Sequence, residues 1–141
     1  MNKAALLLAG LAVGALSLTA CGSSYSSCEK VTPVSGDSPP SDVSGAAGII
    51  ASDPAGSGAV FSNFYAVNDT DSTGDMLAAY VTLPGQSAPA VGVWFVGGGT
   101  HLFAAVNGQA QAATQGMMAN TVTPDNAAVA VAIGCVNGTV K

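Results

Sequence analysis

Charged residues are scarce in this chain of 141 residues, and arginine is absent. Charged side chains make up 8% of the sequence, against about 25% in a typical soluble protein. The chain has three lysines and eight acidic residues, which gives a net charge of −5 at pH 7. A basic surface for nucleic-acid phosphates is therefore excluded, and so is a polybasic membrane-binding surface. Low charge does not indicate disorder here, because 49% of the residues are hydrophobic.

Histidine occurs once, and the common catalytic motifs are missing. His101 follows three glycines without an acid or serine at a catalytic spacing, so it is interpreted as a surface residue at the start of a strand. The segment Gly85-Gln86-Ser87-Ala88-Pro89 lacks the second glycine of a nucleophile elbow. No phosphate-binding glycine motif precedes a helix. The sequence therefore predicts a protein that is not an enzyme and that needs no cofactor.

The first residues are typical of an export signal. Met1-Asn2-Lys3 carries one positive side chain, and the apolar run Ala4 to Ala20 follows without a charge. This run is slightly short for a membrane span of about 20 apolar residues. Residues 1–20 are therefore predicted to be a signal peptide, and an uncleaved membrane helix with a chance cysteine is the alternative.

The end of this signal resembles the lipobox of bacterial lipoproteins. Leu18-Thr19-Ala20-Cys21 has an aliphatic residue, two small residues and a cysteine, and Leu18 is too large for the third position before an ordinary secretory cleavage site. The resemblance covers residues 1–21. It implies cleavage before Cys21, diacylglycerol on the Cys21 sulfur and often acylation, as with palmitate, of the new amino terminus. Several acyl chains hold a protein stably on a bilayer, so we expect a lipid anchor at the extracytoplasmic face of the cell membrane.

The two remaining cysteines form an even pair. Outside the cytoplasm, Cys28 and Cys135 are expected to join in a disulfide. The loop that this bond would close is long, and the chain-entropy model assigns it roughly 4–5 kcal/mol. Two buried thiols are the alternative. No CxxC spacing indicates a redox-active site.

The mature chain divides into a tether and one domain. Residues 21–41 are rich in Ser and Pro, which favours a partly extended connector. Residues 42–141 are predicted to form a small domain, with a first helix from Ser41 to Ser52 that Ser41 or Asp42 caps. Four apolar runs bounded by turn residues predict antiparallel strands: Ala59 to Val67, Met76 to Leu83, Ala90 to Val96, and His101 to Val106.

Two helices are expected to complete the domain. Asn107 is predicted to cap a helix from Gly108 to Ala119. Thr123 with Pro124 is predicted to start the last helix, which continues from Ala127 to Val136. A fifth strand from Ala127 to Ile133 is the alternative, since valine alternates with alanine there. The predicted fold is α+β, a four-stranded antiparallel meander with both C-terminal helices on one face and a clip from Cys28 to Cys135.

Two groups of residues are candidate sites. The aromatic side chains of Phe64, Tyr80 and Trp94 are predicted to form an interaction patch, because the third predicted strand is apolar on both faces. The loop after the first strand resembles half of a calcium loop, with Asp69, Asp71, Thr73 and Asp75 as ligands, but its closing glutamate is missing. The preferred interpretation of that loop is a solvated acidic hairpin without a metal.

The expected function is that of a membrane-anchored bacterial envelope lipoprotein that presents a binding surface. In its size and its signal, the chain resembles small surface lipoproteins of high-GC Gram-positive bacteria and their phages. Its partners would be the lipid bilayer and an unidentified protein or small molecule. Two alternatives are a phage-encoded lipoprotein of superinfection exclusion, and a small-ligand carrier or enzyme with a deep pocket.

Overall fold

A computed structural model describes residues 27–36, 40, 42–69, 73–97, 103–115 and 122–141. They form a five-stranded antiparallel sheet, in which the strands lie in sequence order, and three helices. This arrangement confirms the α+β class. The strands are β1 (Glu29–Lys30), β2 (Val60–Asp69), β3 (Gly74–Thr82), β4 (Ala90–Gly97) and β5 (Phe103–Ala105). The helices are α1 (Val43–Ala51), α2 (Gly108–Thr114) and α3 (Ala127–Asn137).

The predicted number of four strands is wrong, because the sheet has a further strand at its edge. Glu29 pairs with Ala66 and Lys30 with Tyr65, so residues assigned to the tether belong to β1. The pairing continues where the amide of Val31 donates to the carbonyl of Phe64 at 2.9 Å. Both residues of β1 are exposed, so the strand has no apolar alternation by which its sequence could indicate it.

The central strands β2, β3 and β4 form the predicted meander. Leu77 of β3 lies between Ala66 of β2 and Trp94 of β4. The register of β2 shifts between Ser62 and Tyr65, where Asn63 takes a positive φ of 58°. The side-chain amide of Asn63 donates to the carbonyl of Val136 at 3.1 Å, so this bulge ties β2 to the end of α3.

Helices cover both faces of the sheet, and the prediction of both C-terminal helices on one face is wrong. On the first face, Leu77 and Trp94 pack in one core with Ile50 of α1 and Ala113 of α2. The opposite face forms a second core, in which Met76 and Val93 pack with residues of α3 that include Val129 and Ala132. Successive residues of β3 and β4 point to opposite faces of the sheet, and they are apolar on both faces. Each face therefore requires its own covering helix.

Each helix begins at a residue whose side chain accepts a hydrogen bond from a backbone amide of the first turn. The Asp42 carboxylate accepts from the amide of Gly45, and the Asn107 side chain accepts from the amide of Ala110, which confirms both as N-caps. The last helix begins later than predicted, with Asn126 and not Thr123 as its N-cap. The amide of Asn126 donates to the carbonyl of Thr123, so residues 123–126 form a turn ahead of α3. The alternative of a fifth strand in this segment is wrong.

Residues 31–36, which follow β1, pack on α1, and we call them the strap. Val31 is buried, and the amide of Val34 donates to the carbonyl of Ser44 at 3.0 Å. Ahead of β1, Cys28 forms a disulfide with Cys135 of α3, with 5.6 Å between their Cα atoms. The predicted crosslink is therefore confirmed, and it joins the N-terminal edge of the sheet to the last helix.

Candidate functional site

A cleft of about 380 Å³ lies at the β1 edge of the sheet, and we call it the β1 cleft. Its walls are the start of the described chain, the first turn of α1, and the adjoining ends of β2 and β3. The lining residues are Ser27, Cys28, Glu29, Val43, Ala66, Asn68 and Asp75. A second cleft of about 350 Å³ is lined by Pro54, Ala55, Phe103, Thr114 and Gln115. Only the β1 cleft has charged side chains in its described lining, so it is the stronger candidate.

The polar groups of the β1 cleft come from paired positions of the sheet. Asn68 faces Asp75 across the β2–β3 hairpin, and its amide donates to the Asp75 carboxylate at 3.0 Å. Glu29 pairs with Ala66, two residues before Asn68, so strand alternation places Glu29 and Asn68 on the same face. The cleft therefore presents two carboxylates and one amide, groups that can accept and donate hydrogen bonds to a bound molecule.

The two cysteines of the disulfide differ in burial. Cys28 contributes to the cleft lining and is half-buried. Cys135 is 3% exposed and packs in the core between α3 and the sheet. One half of the bond thus lies at the surface, and the other lies in the apolar interior.

The described residues of the alternative calcium loop do not converge on one point. Asp69 is 2% exposed, and its carboxylate accepts from the amide of Asn126 at the start of α3. Asp75 pairs instead with Asn68 in the β1 cleft, on the other side of the sheet. Thr73 is exposed in the turn, and Asp71 lies outside the described residues. Within the described ranges, no group of three or more potential metal ligands occurs.

The aromatic patch predicted from Phe64, Tyr80 and Trp94 is wrong. Trp94 is fully buried and Phe64 is 4% exposed, both in the core beneath α1 and α2. Tyr80 lies on the opposite face, where its hydroxyl donates to the side chain of Asn137 at 3.1 Å. The indole N–H of Trp94 donates to the Thr114 hydroxyl at 3.2 Å, so its polar group is satisfied within the domain.

Glu29 and Asn68 are site residues that the sequence interpretation missed. Glu29 was assigned to the tether, and Asn68 was assigned to the loop after the first strand. One signal was available, since a disulfide at Cys28 requires the next residue of the chain to lie beside the domain. The seven-residue spacing of Asn68 and Asp75 also fits partners across a hairpin turn.

Comparisons with known proteins gave no relative. No family model matches the chain, and no curated protein or solved structure matches it either. Across the described ranges, no helix has the length and apolar character that crossing a membrane requires. The second helix ends at Thr114 with Gln115 as its C-cap, so its predicted end at Ala119 is wrong. His101 and residues 1–26, which include the lipobox, lie outside the described ranges.

Proposed function

We propose that this chain is a lipid-anchored bacterial envelope protein that binds a partner without catalysing a reaction. The observation that supports the anchor best is the motif Leu18-Thr19-Ala20-Cys21, which stands six residues ahead of the described domain. The disulfide supports the same compartment, because bonds such as Cys28–Cys135 persist where thiols are oxidised, outside the cytoplasm.

The spacing between the anchor and the domain limits their separation. Six peptide steps join Cys21 to Ser27, and an extended chain advances about 3.3–3.6 Å per residue, so the span is about 20 Å at most. Ser27 lines the β1 cleft. An acylated Cys21 would therefore hold this cleft close to the membrane surface.

The β1 cleft replaces the aromatic patch as the proposed binding surface. Its volume of about 380 Å³ falls within the range of roughly 300–1,000 Å³ that small-molecule sites occupy. The carboxylates of Glu29 and Asp75, together with the Asn68 amide, would supply its polar contacts. A small-ligand carrier is the second candidate function, since the same concave site would serve it.

Metabolic labelling with an alkyne fatty acid tests the anchor. The wild-type chain should incorporate the label and should leave membranes with detergent but not with high salt. A Cys21→Ser variant should lose the label and keep residues 1–20. A Cys28→Ser variant is the matched control, and it should be labelled like the wild type. Label on Cys21→Ser, or its absence from the wild type, would contradict the proposal.

A photo-crosslinking amino acid placed in intact cells tests the binding surface. Position 68 lies in the β1 cleft, and position 86 lies in the turn between β3 and β4; both wild-type residues are exposed. We expect discrete adducts from position 68 that position 86 does not give. Identical adducts from both positions would count against the cleft while leaving the lipid anchor unaffected.

A further inference from the structure

We infer that the Cys28–Cys135 bond is made and broken through the Cys28 sulfur by exchange with an external dithiol–disulfide partner. The two cysteines lie 107 residues apart in sequence, at opposite ends of the domain. In the folded chain the bond therefore joins the segment ahead of β1 to α3, the last element of the fold. The partner then meets two thiols in different environments.

The two cysteines differ in how accessible they are to an external molecule. Cys28 is half-buried and packs at the margin of the core beneath α3. Cys135 is 3% exposed and packs with Val129, Ala132 and Val136 of its own helix against the sheet. Thiol–disulfide exchange requires a sulfur of the partner to reach the attacked or attacking sulfur directly. An external partner can reach Cys28 with the fold intact, whereas it reaches Cys135 only if α3 moves.

The difference in access determines the order of the exchange steps. In the oxidising direction, the Cys28 thiolate attacks one sulfur of the partner's disulfide, which forms a mixed disulfide and releases one partner thiolate. The Cys135 thiolate next attacks the Cys28 sulfur, which closes the native bond and releases the second partner thiolate. The chain loses two electrons, the partner's disulfide becomes a dithiol, and the two protons lost by the cysteines balance those that the dithiol gains. Reduction follows the same steps in reverse.

Single-cysteine variants of the full chain test the route. In a Cys21→Ser background, Cys135→Ser leaves Cys28 as the only thiol, and Cys28→Ser leaves Cys135. With cystamine in native buffer, Cys28 should react at least about tenfold faster than Cys135, because access controls the rate. In denaturant the two rates should agree within about twofold, since both thiols are then exposed. Equal native rates, or a faster Cys135, would overturn the inference.

A second measurement on the disulfide-bonded wild-type chain requires no variant to fold. The chain is treated with glutathione, quenched with acid, alkylated with N-ethylmaleimide and mapped by peptide mass spectrometry. Glutathione should be found on Cys28 and the alkyl group on Cys135. The reverse assignment would contradict the route independently of the variants.

Discussion

The carbonyl oxygen of Val34 occupies the place where a side chain at Gly48 would begin. A Cβ atom built on Gly48 would lie 1.9 Å from that oxygen, and 2.6 Å from the carbonyl carbon of the same residue. The contact is with backbone, so a rotamer change cannot relieve it. The strap therefore packs directly on the backbone of α1, and glycine is the residue that permits this approach.

A Gly48→Ala substitution should accordingly destabilise the domain strongly. We expect a loss of about 3 kcal/mol or more in the free energy of unfolding, because the strap must separate from α1. Urea unfolding would measure it. Gly108→Ala is the matched helical control, since a Cβ there meets nothing within 4 Å; its effect should stay within about 1 kcal/mol. Equal effects at both glycines would contradict the described packing.

The buried indole of Trp94 should depend on Thr114 for its hydrogen bond. The Thr114 hydroxyl accepts from the indole N–H at 3.2 Å and donates to the carbonyl of Ala110 at 2.8 Å. Thr114→Val removes both bonds at nearly constant volume, and we expect it to cost about 1–3 kcal/mol. Denaturation followed by the fluorescence of Trp94, the only tryptophan, would measure this change.

Thr82→Val serves as the control for that substitution. Thr82 lies at the end of β3 and is half-buried. The same change there should alter stability by less than about 0.5 kcal/mol. If Thr114→Val is equally mild, the indole N–H does not rely on the hydroxyl.

The loop after α1 should show a pH-dependent contribution from Asp53. Hydrogen bonds from the Ser57 hydroxyl, and from the amides of Gly58 and Ser57, hold the pKa of Asp53 below its ordinary value of 3.8. Because the folded pKa is depressed, the stabilisation is fully present above the ordinary value and is lost as the pH falls through the folded pKa. Carbon-detected NMR titration would follow the carboxyl group.

Ser57→Ala should raise the pKa of Asp53 towards its ordinary value, because the largest of the three contributions is removed. The pKa of Asp125, which the Thr123 hydroxyl lowers, should stay unchanged in this variant. An Asp53 pKa that is unchanged by Ser57→Ala would show that the Ser57 hydroxyl does not donate to this carboxylate.

The disulfide should contribute a large share of the stability. Its cysteines lie 107 residues apart, and the chain-entropy model together with measured losses of native bonds gives about 2–5 kcal/mol. The Cys28→Ser, Cys135→Ala double variant should lose this amount in urea unfolding. A reductant should destabilise the wild type similarly and leave the double variant unchanged. A loss below about 1 kcal/mol would mean that the bond does not restrict the unfolded chain as this model requires.

The sequence predicted the elements with strong periodicity and missed those that depend on tertiary contacts. The apolar runs of β2, β3 and β4 and the caps Asp42 and Asn107 were visible as local patterns. β1 was missed because two exposed residues at an edge carry no apolar alternation. The start of α3 was misplaced, because polar residues suited to an N-cap stand at both 123 and 126, and local sequence does not choose between them.

For the candidate site, too, the sequence indicated local patterns but not the contacts made by folding. A strand that is apolar on both faces indicated a second face in need of cover, and this cover was assigned to an interaction partner. It could not indicate which helix covers which face, and so Trp94 was placed in an exposed patch when α1 and α2 in fact bury it. The β1 cleft was beyond sequence reasoning, because it joins residues from four separate segments that only the folded sheet brings together.

The intact mass of the native protein, extracted from membranes with detergent, tests the central claim most directly. We predict a chain that begins at Cys21, carries the added mass of its acyl chains, and lacks the two hydrogens that Cys28 and Cys135 give up on forming their bond. A mass that still includes residues 1–20 without acyl groups would contradict the anchor. A mass with both thiol hydrogens present would contradict the crosslinked, exported domain.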